Sequence, residues 1–289
     1  MNESKQKVAV VTDSAAALTC EQVSTHGLSV ARMEIVIDGI TFDDSANGEL
    51  DEFYSLLSTS ETIPTTSAPK PSEYLEQFRT AASSGQNVFC VTVSAKLSAA
   101  YDAANVAAEL FTADHPGLEV RVFDSGAAAS SQALIVLAVA RAAESGRTID
   151  EVEAVAKQVA GKVRLVAMLD TLRFIYRSGR VPKIAVWATN ALNIKPVMEF
   201  SAARIGAIAR PRSVARAIKR IQREMANDLD GKPAHINVVH AGAPERAELL
   251  RTWAAEYLDC AELFVTQFHP FMGAHSGPGL VGASWWAEG

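Results

Sequence analysis

Short, almost wholly apolar runs alternate with longer stretches of helical periodicity along this chain. In the first half the runs at 8–12, 88–93 and 120–123 have the pattern of strands covered on both faces, and the longer 28–37 stretch also reads as a strand. Thr19 with Gln22 forms a capping-box pattern that opens a short helix. A helix over 72–82 follows a proline-rich entry, and an alanine-rich helix covers 98–111. The run ALIVLAVA at 133–140 is eight residues long between Gln132 and Arg141. A membrane span needs about 20, so this run reads as the buried middle of a helix over 130–144. The alternation predicts an N-terminal three-layer α/β/α domain with a parallel sheet, residues 1–161.

Gly146 ends one helix, and Thr148 with Glu151 caps the next. Beyond 162 the strands fall at 163–169, 193–200, 235–239, 263–268 and 280–285, with helices over 213–229 and 244–258. The looser alternation predicts a C-terminal α/β domain with a mixed sheet, residues 162–289. We find no sequence repeat and no low-complexity segment.

Composition narrows the function. The chain has 289 residues, 48% of them hydrophobic, and a formal net charge of −6 with a sequence pI near 5.6. That balance argues against general nucleic-acid affinity. Cys20, Cys90 and Cys260 are far apart and form no C-x-x-C pair, so neither a disulfide framework nor a zinc site is expected. No metal and no cofactor are expected. The start, MNESKQKVAVV, lacks the pattern of a secretory leader, and the expectation is a cytoplasmic protein without a transmembrane segment. The 213–229 helix carries Arg216, Lys219, Arg220 and Arg223, with Arg210 and Arg212 just before it. It reads as a solvated face, the alternative being an acidic partner or transient contact with an anionic membrane.

Beyond the carboxyl ends of the first-half strands, where open α/β sheets bind ligands, small hydroxyls and carboxylates collect: Thr12, Asp13 and Ser14; Ser94 and Ser98; Asp124 and Ser125. Ser98 stands where a helix begins, a position that attracts anions. Thr65, Thr66 and Ser67 occupy a segment punctuated by Pro64, Pro69 and Pro71, which restrict it to extended geometry. Such a loop can close over the same anion. Each of these residues also has an ordinary role as a cap or turn former. Near the C-terminus GPGLVG, 277–282, matches G-x-G-x-x-G. Only 283–289 follow, too few for the helix and second strand of a dinucleotide-binding unit. The glycines read instead as a turn with positive φ or close backbone approach, pressed against a ligand with His275 at its edge.

In this order the motifs resemble those of the DegV family over nearly the whole chain: VAVVTDS, IPTTSAPKPSEY, VTVSAKLSAAYDAA, VRVFDS, LDTLRFIYRSGRV, LNIKPVMEF and AHSGPGLVG. The resemblance implies two α/β domains with a ligand tunnel between them that holds a long-chain fatty acid. It implies carboxylate contacts led by Thr65 and Ser98, with Thr66, Ser67 and Ser94 nearby. Arg180 and His275 are then the polar residues at the head group and docking face, assisting phosphoryl transfer or partner docking. It further implies that the protein presents the carboxylate to a separate ATP-binding kinase subunit, giving an acyl phosphate for phospholipid synthesis, rather than acting as an enzyme itself. The chain departs from the family where Ala68, Ala95 and Ala99 replace the usual Gln, Ser and Gly. Two other readings are a stand-alone enzyme on an acidic or acyl metabolite, using Asp13, Asp124 and His275, and a regulatory lipid sensor. G-x-S-x-G, H-E-x-x-H and P-loop patterns are absent from the sequence, which disfavours the first of these.

Overall fold

A computed structural model describes residues 7–45, 50–62, 64–181, 194–201 and 204–289. In chain order its strands are β1 (Val8–Asp13), β2 (Ser29–Ala31), β3 (Glu34–Ile37), β4 (Ile40–Asp43), β5 (Thr65–Ser67), β6 (Asn87–Thr92), β7 (Val120–Asp124), β8 (Arg164–Met168), β9 (Val197–Ser201), β10 (Ile205–Ala209), β11 (Ala234–His240), β12 (Cys260–Gln267) and β13 (Val281–Ala287). They form a four-stranded sheet β2-β1-β6-β7, a six-stranded sheet β10-β9-β8-β13-β11-β12 and a three-stranded sheet β4-β3-β5.

The four-stranded sheet is parallel throughout, with Val11, Cys90 and Val122 in register across it. Strand periodicity sends alternate residues to opposite faces. Val88 and Cys90 of β6 join Phe78 and Phe111 of the helices Pro71–Ala81 and Ala100–Asp114. Phe89 and Val91 join the helices Ser130–Glu144 and Ile149–Ala160 on the other side. This is the three-layer α/β/α arrangement expected from the alternation of elements. Both capping boxes, Thr19 with Gln22 and Thr148 with Glu151, are formed.

The six-stranded sheet is mixed: β11 and β12 are parallel, and the other pairs are antiparallel. One face carries Val166 and Met168 against Ile221 and Met225 of the helix Val214–Leu229 and Leu250 of the helix Pro244–Tyr257. The opposite face turns Leu165 and Ala167 towards the first half of the chain. The helix Ser130–Glu144 packs against strands of both large sheets, and Ser130 Oγ lies 2.6 Å from Ser284 Oγ of β13. Contact on both sides explains why this helix is apolar around most of its circumference.

Four expectations need correction. The predicted 28–37 strand is two strands in different sheets. Between them the amide of Arg32 donates to Glu73 Oε1 at 2.7 Å and that of Met33 to Ser14 Oγ at 2.9 Å. Side chains thus take up the N–H groups that would have continued a ladder. The proline-punctuated segment is not only a loop, because 65–67 pair with β3 as strand β5. The helix predicted from 98 begins at Ala100, two residues later. Of the strand predicted over 193–200, Asn193 lies outside the described residues and the pairing starts at Val197. Among the described residues no helix is long and apolar enough to cross a membrane.

Candidate functional site

A cavity opens between the two large sheets. The six-stranded side supplies Leu165 and Ala167 from β8, Leu169 just after it, and Phe200 from β9. Val93, Leu97 and Ala128 come from the loops beyond β6 and β7, Ile175 and Val181 from the segment after β8, and Phe268, Phe271, Met272 and Leu280 from the C-terminal region. Among the described residues the polar lining is Ser98, Arg180, His275 and Ser276. The space between these walls is about 720 Å³ with open solvent at the mouth included. Walls of this composition suit hydrocarbon, and the few polar groups fix the orientation of a head group.

His275 sits in the last turn of the helix Pro270–Ser276. Burial pushes its pKa down to about 4, and the Arg180 charge pushes the same way, so the ring is neutral at neutral pH. Its Nε2 lies 3.2 Å from Thr66 Oγ1. Thr66 stands opposite Ile35, which is fully buried, and shares its face of the three-stranded sheet. Thr65 and Ser67 pair with Val36 and Glu34 on the other face. Both are exposed, and Ser67 Oγ donates to Glu34 Oε2 at 3.2 Å. Strand alternation therefore directs Thr66 to the back of His275, just behind the cavity lining, and Thr65 and Ser67 to the other face, against the expectation that Thr65 leads the head-group contacts.

Ser98 lines the cavity as expected, one residue before the helix cap Ala99, with its Oγ accepting from the Ala100 amide at 3.3 Å. Ser94 is buried and builds the turn beneath it. Its carbonyl accepts from the amides of Leu97 at 2.9 Å and Ser98 at 3.2 Å, and its Oγ from that of Lys96 at 3.3 Å. It does not reach the cavity surface. Asp124 holds the neighbouring loop through the amides of Ala95 at 3.1 Å and Gly126 at 2.9 Å. Asp13 is fully buried and accepts from the Val93 amide, Tyr74 Oη and Gln132 Nε2 at 2.8, 3.2 and 3.0 Å. Burial pushes its pKa up to about 6 despite these donors. Both carboxylates are occupied in holding the strand ends.

Arg180 is exposed beside the cavity, follows Gly179 in its left-handed conformation (φ 70°), and donates to the Ser178 carbonyl at 2.7 Å. Among the described residues it has no carboxylate partner. The preceding helix Arg173–Arg177 is tied back through Arg173, whose Nη2 donates to the carbonyls of Ser60 at 3.1 Å and Glu61 at 2.8 Å.

The three glycines of GPGLVG each have a packing reason. Gly277 ends the short helix at φ 75°, and a Cβ there would lie 2.2 Å from Phe174 Cδ2. Gly279, at φ 83°, lies against Asp170, which pairs with Lys195 at 3.0 Å and Arg246 at 2.9 Å. Gly282 lets β13 approach β8, where a Cβ would meet that of Ala167 at 2.5 Å. The segment is a turn into a strand, as its place near the C-terminus implied. Sequence reasoning missed Phe271 and Met272, which the seven-residue helix brings to the cavity. Pro270 at its first turn was the available signal.

The DegV family model, described as an uncharacterised protein family, matches residues 7–288. A DegV domain-containing protein of Streptomyces coelicolor is 31% identical over 277 residues, covering 95% of this chain and 96% of its own length. Among solved structures, a DegV family protein of Thermus thermophilus described by its fatty-acid binding superposes with a TM-score of 0.89 at 24% identity, over 98% of this chain and 100% of its own. A stearic acid-binding protein of Eubacterium ventriosum superposes with a TM-score of 0.87 at 21% identity, over 97% and 98% of the two chains.

Proposed function

The chain belongs to the DegV family, and on that footing we propose that it binds a long-chain fatty acid in the cavity and offers the carboxylate to a separate ATP-dependent kinase subunit. The observation that carries this reading is the cavity itself: hydrocarbon walls with polar lining, among the described residues, at Ser98, Arg180, His275 and Ser276. Burying about 14 methylenes contributes roughly 11 kcal/mol of gross transfer energy, of which association and ordering consume several. The tail thus supplies most of the affinity, and the polar groups fix where the carboxylate lies.

In this reading the Ser98 hydroxyl and the neutral Thr66–His275 pair donate to the carboxylate. Neutral donors hold an anion without neutralising it, so one carboxylate oxygen stays nucleophilic towards a phosphorus atom. Arg180, exposed and without a carboxylate partner among the described residues, steadies developing phosphoryl charge or meets the kinase. Arg212, Arg216, Lys219 and Arg223 are exposed, in keeping with a solvated helix face. Asp13 and Asp124 are engaged in structural hydrogen bonds, and no observation favours a stand-alone enzyme.

The test is ATP-dependent acyl-phosphate formation with the host's kinase subunit, trapped with hydroxylamine. Wild type is expected to support it, and Arg180→Ala to bind fatty acid normally but slow the transfer. A wild type that binds fatty acid but gives no product when the kinase subunit is present would confine the function to binding. Turnover by the isolated chain would make it an enzyme in its own right.

A further inference from the structure

The helix Pro270–Ser276 brings Phe271, Met272, His275 and Ser276 to the cavity wall, and the three-stranded sheet holds it at both ends. At its last turn Thr66 of β5 meets His275. At its first turn the Phe271 amide donates to Asp44 Oδ1 at 2.8 Å. Asp44 follows β4 directly and is buried at 1% exposure. Its Oδ2 accepts from Ser14 Oγ, which itself accepts from the Met33 amide at 2.9 Å. The carboxyl is in no ion pair among the described residues, and burial pushes its pKa up to about 7. A buried carboxyl served by neutral donors alone is costly compared with an apolar side chain. What the chain gains from it is a fixed link between sheet and helix.

We infer that Asp44 is a positioning residue for the cavity: through the Phe271 amide it fixes the first turn of this helix, and thereby the placing of the Phe271 ring and the His275 imidazole. A helix of seven residues is about 10 Å long, so contacts at its two ends define both its tilt and its rotation. On the inner side Gly273 leaves no slack, since a Cβ there would lie 2.8 Å from Phe53 Cε1 and Tyr54 Oη. Tyr54 Oη also donates to the Phe268 carbonyl at 2.9 Å, just before the helix. Without Asp44 the first turn loses the hydrogen bond that sets the Phe271 amide, while the Gly273 packing and the Thr66 end remain. The contact stands on geometry alone; its consequence for a ligand rests on the fatty-acid reading.

The experiment compares wild type, Asp44→Ala and Asp44→Asn by NMR of the Phe271 amide and the His275 ring in lipid-free protein, together with oleate affinity by titration. In Asp44→Ala both resonances are expected to move and oleate binding to weaken about tenfold. Asn keeps an acceptor for the Phe271 amide, so it should restore His275 and bring affinity within about twofold of wild type. At pH 8.5, where the wild-type carboxyl is ionised, the Phe271 amide proton should still move upfield in Asn, because a neutral carbonyl is a weaker acceptor than a carboxylate. A folded Asp44→Ala with unchanged resonances and affinity overturns the inference. Should that variant not fold, a Phe271 amide proton unaffected by Asn does the same. Wild type that binds no oleate would refute the fatty-acid reading, while the resonances would still report on Asp44, so the two fail separately.

Discussion

The hydroxyl of Thr66 and Nε2 of His275 lie 3.2 Å apart although 209 residues separate them in the chain. The pairing joins the three-stranded sheet to the cavity helix and leaves Thr65, one residue earlier, on the outer face. Replacing Thr66 by Val keeps the β-branch and removes the hydroxyl. We expect oleate affinity to fall roughly 10- to 150-fold, the loss of one hydrogen bond to a charged group at about 1.5–3 kcal/mol, and Thr65→Val to change it less than about twofold. Isothermal titration of the two variants decides. Equal effects would mean that strand alternation does not select the head-group contact.

Ser98 and Ser94 are four residues apart and separate cleanly by role. Ser98→Ala is expected to weaken oleate binding about tenfold with little change in melting temperature. Ser94→Ala should lower the melting temperature, since its hydroxyl serves the Lys96 amide, and should affect affinity only through the turn. Thermal melts paired with titrations test this, and a reversed pattern would exchange the two roles.

Gly277→Ala places a Cβ against Phe174 in a residue with positive φ. The positive-φ extended backbone (φ 75°, ψ 166°), open essentially to glycine alone, and the overpacking together cost roughly 2–6 kcal/mol, so a melting temperature lower by about 5–10 °C is expected. Gly39→Ala is the control: φ is 82°, but nothing lies within 4 Å of the added atom, so only the conformational cost of about 1–2 kcal/mol applies. Similar losses in both would remove Phe174 from the account.

Asp44 titrates near 7 in the folded protein against 3.8 unfolded. The folded state therefore holds the proton more tightly. The cost of ionising Asp44 is absent below the unfolded value and grows as pH rises through 7. Asp44→Asn removes that dependence. Its stability relative to wild type should rise between pH 5 and pH 8 by roughly 2–3 kcal/mol, at about 1.4 kcal/mol per pKa unit. His269 and His275, both pushed down to about 4 by burial, act the other way. Their contribution is present above about 6.5 and lost as pH falls towards 4, but it is common to both proteins and cancels in the difference. Urea midpoints at the two pH values measure the effect; a difference that does not change with pH would contradict it.

Much of this was legible in the sequence because the deciding interactions are local. The apolar runs 88–93 and 120–123, and the caps at Thr19 and Thr148, carry their own signals. What escaped depends on distant partners. The 28–37 stretch looks like one strand until Ser14 and Glu73 arrive to take its amides. Three adjacent hydroxyls at 65–67 look equivalent until pairing with β3 sets which face each takes. Asp44 adjoins Asp43 with no local signal to set it apart, and only the fold buries it beside the Phe271 amide. The family resemblance pointed to the 65–67 segment as a whole, and the strand phase separates Thr66, which meets His275, from its neighbours.

The central claim is that the cavity between the two large sheets holds a fatty acid. Protein produced in bacteria, washed, denatured and extracted with solvent can be assayed by mass spectrometry, and delipidated protein titrated with oleate. The account predicts close to one long-chain fatty acid per chain and saturable one-to-one rebinding that Leu165→Arg, which puts a charge in the apolar wall, abolishes. Protein that emerges free of lipid and shows no saturable binding of added fatty acids would contradict it.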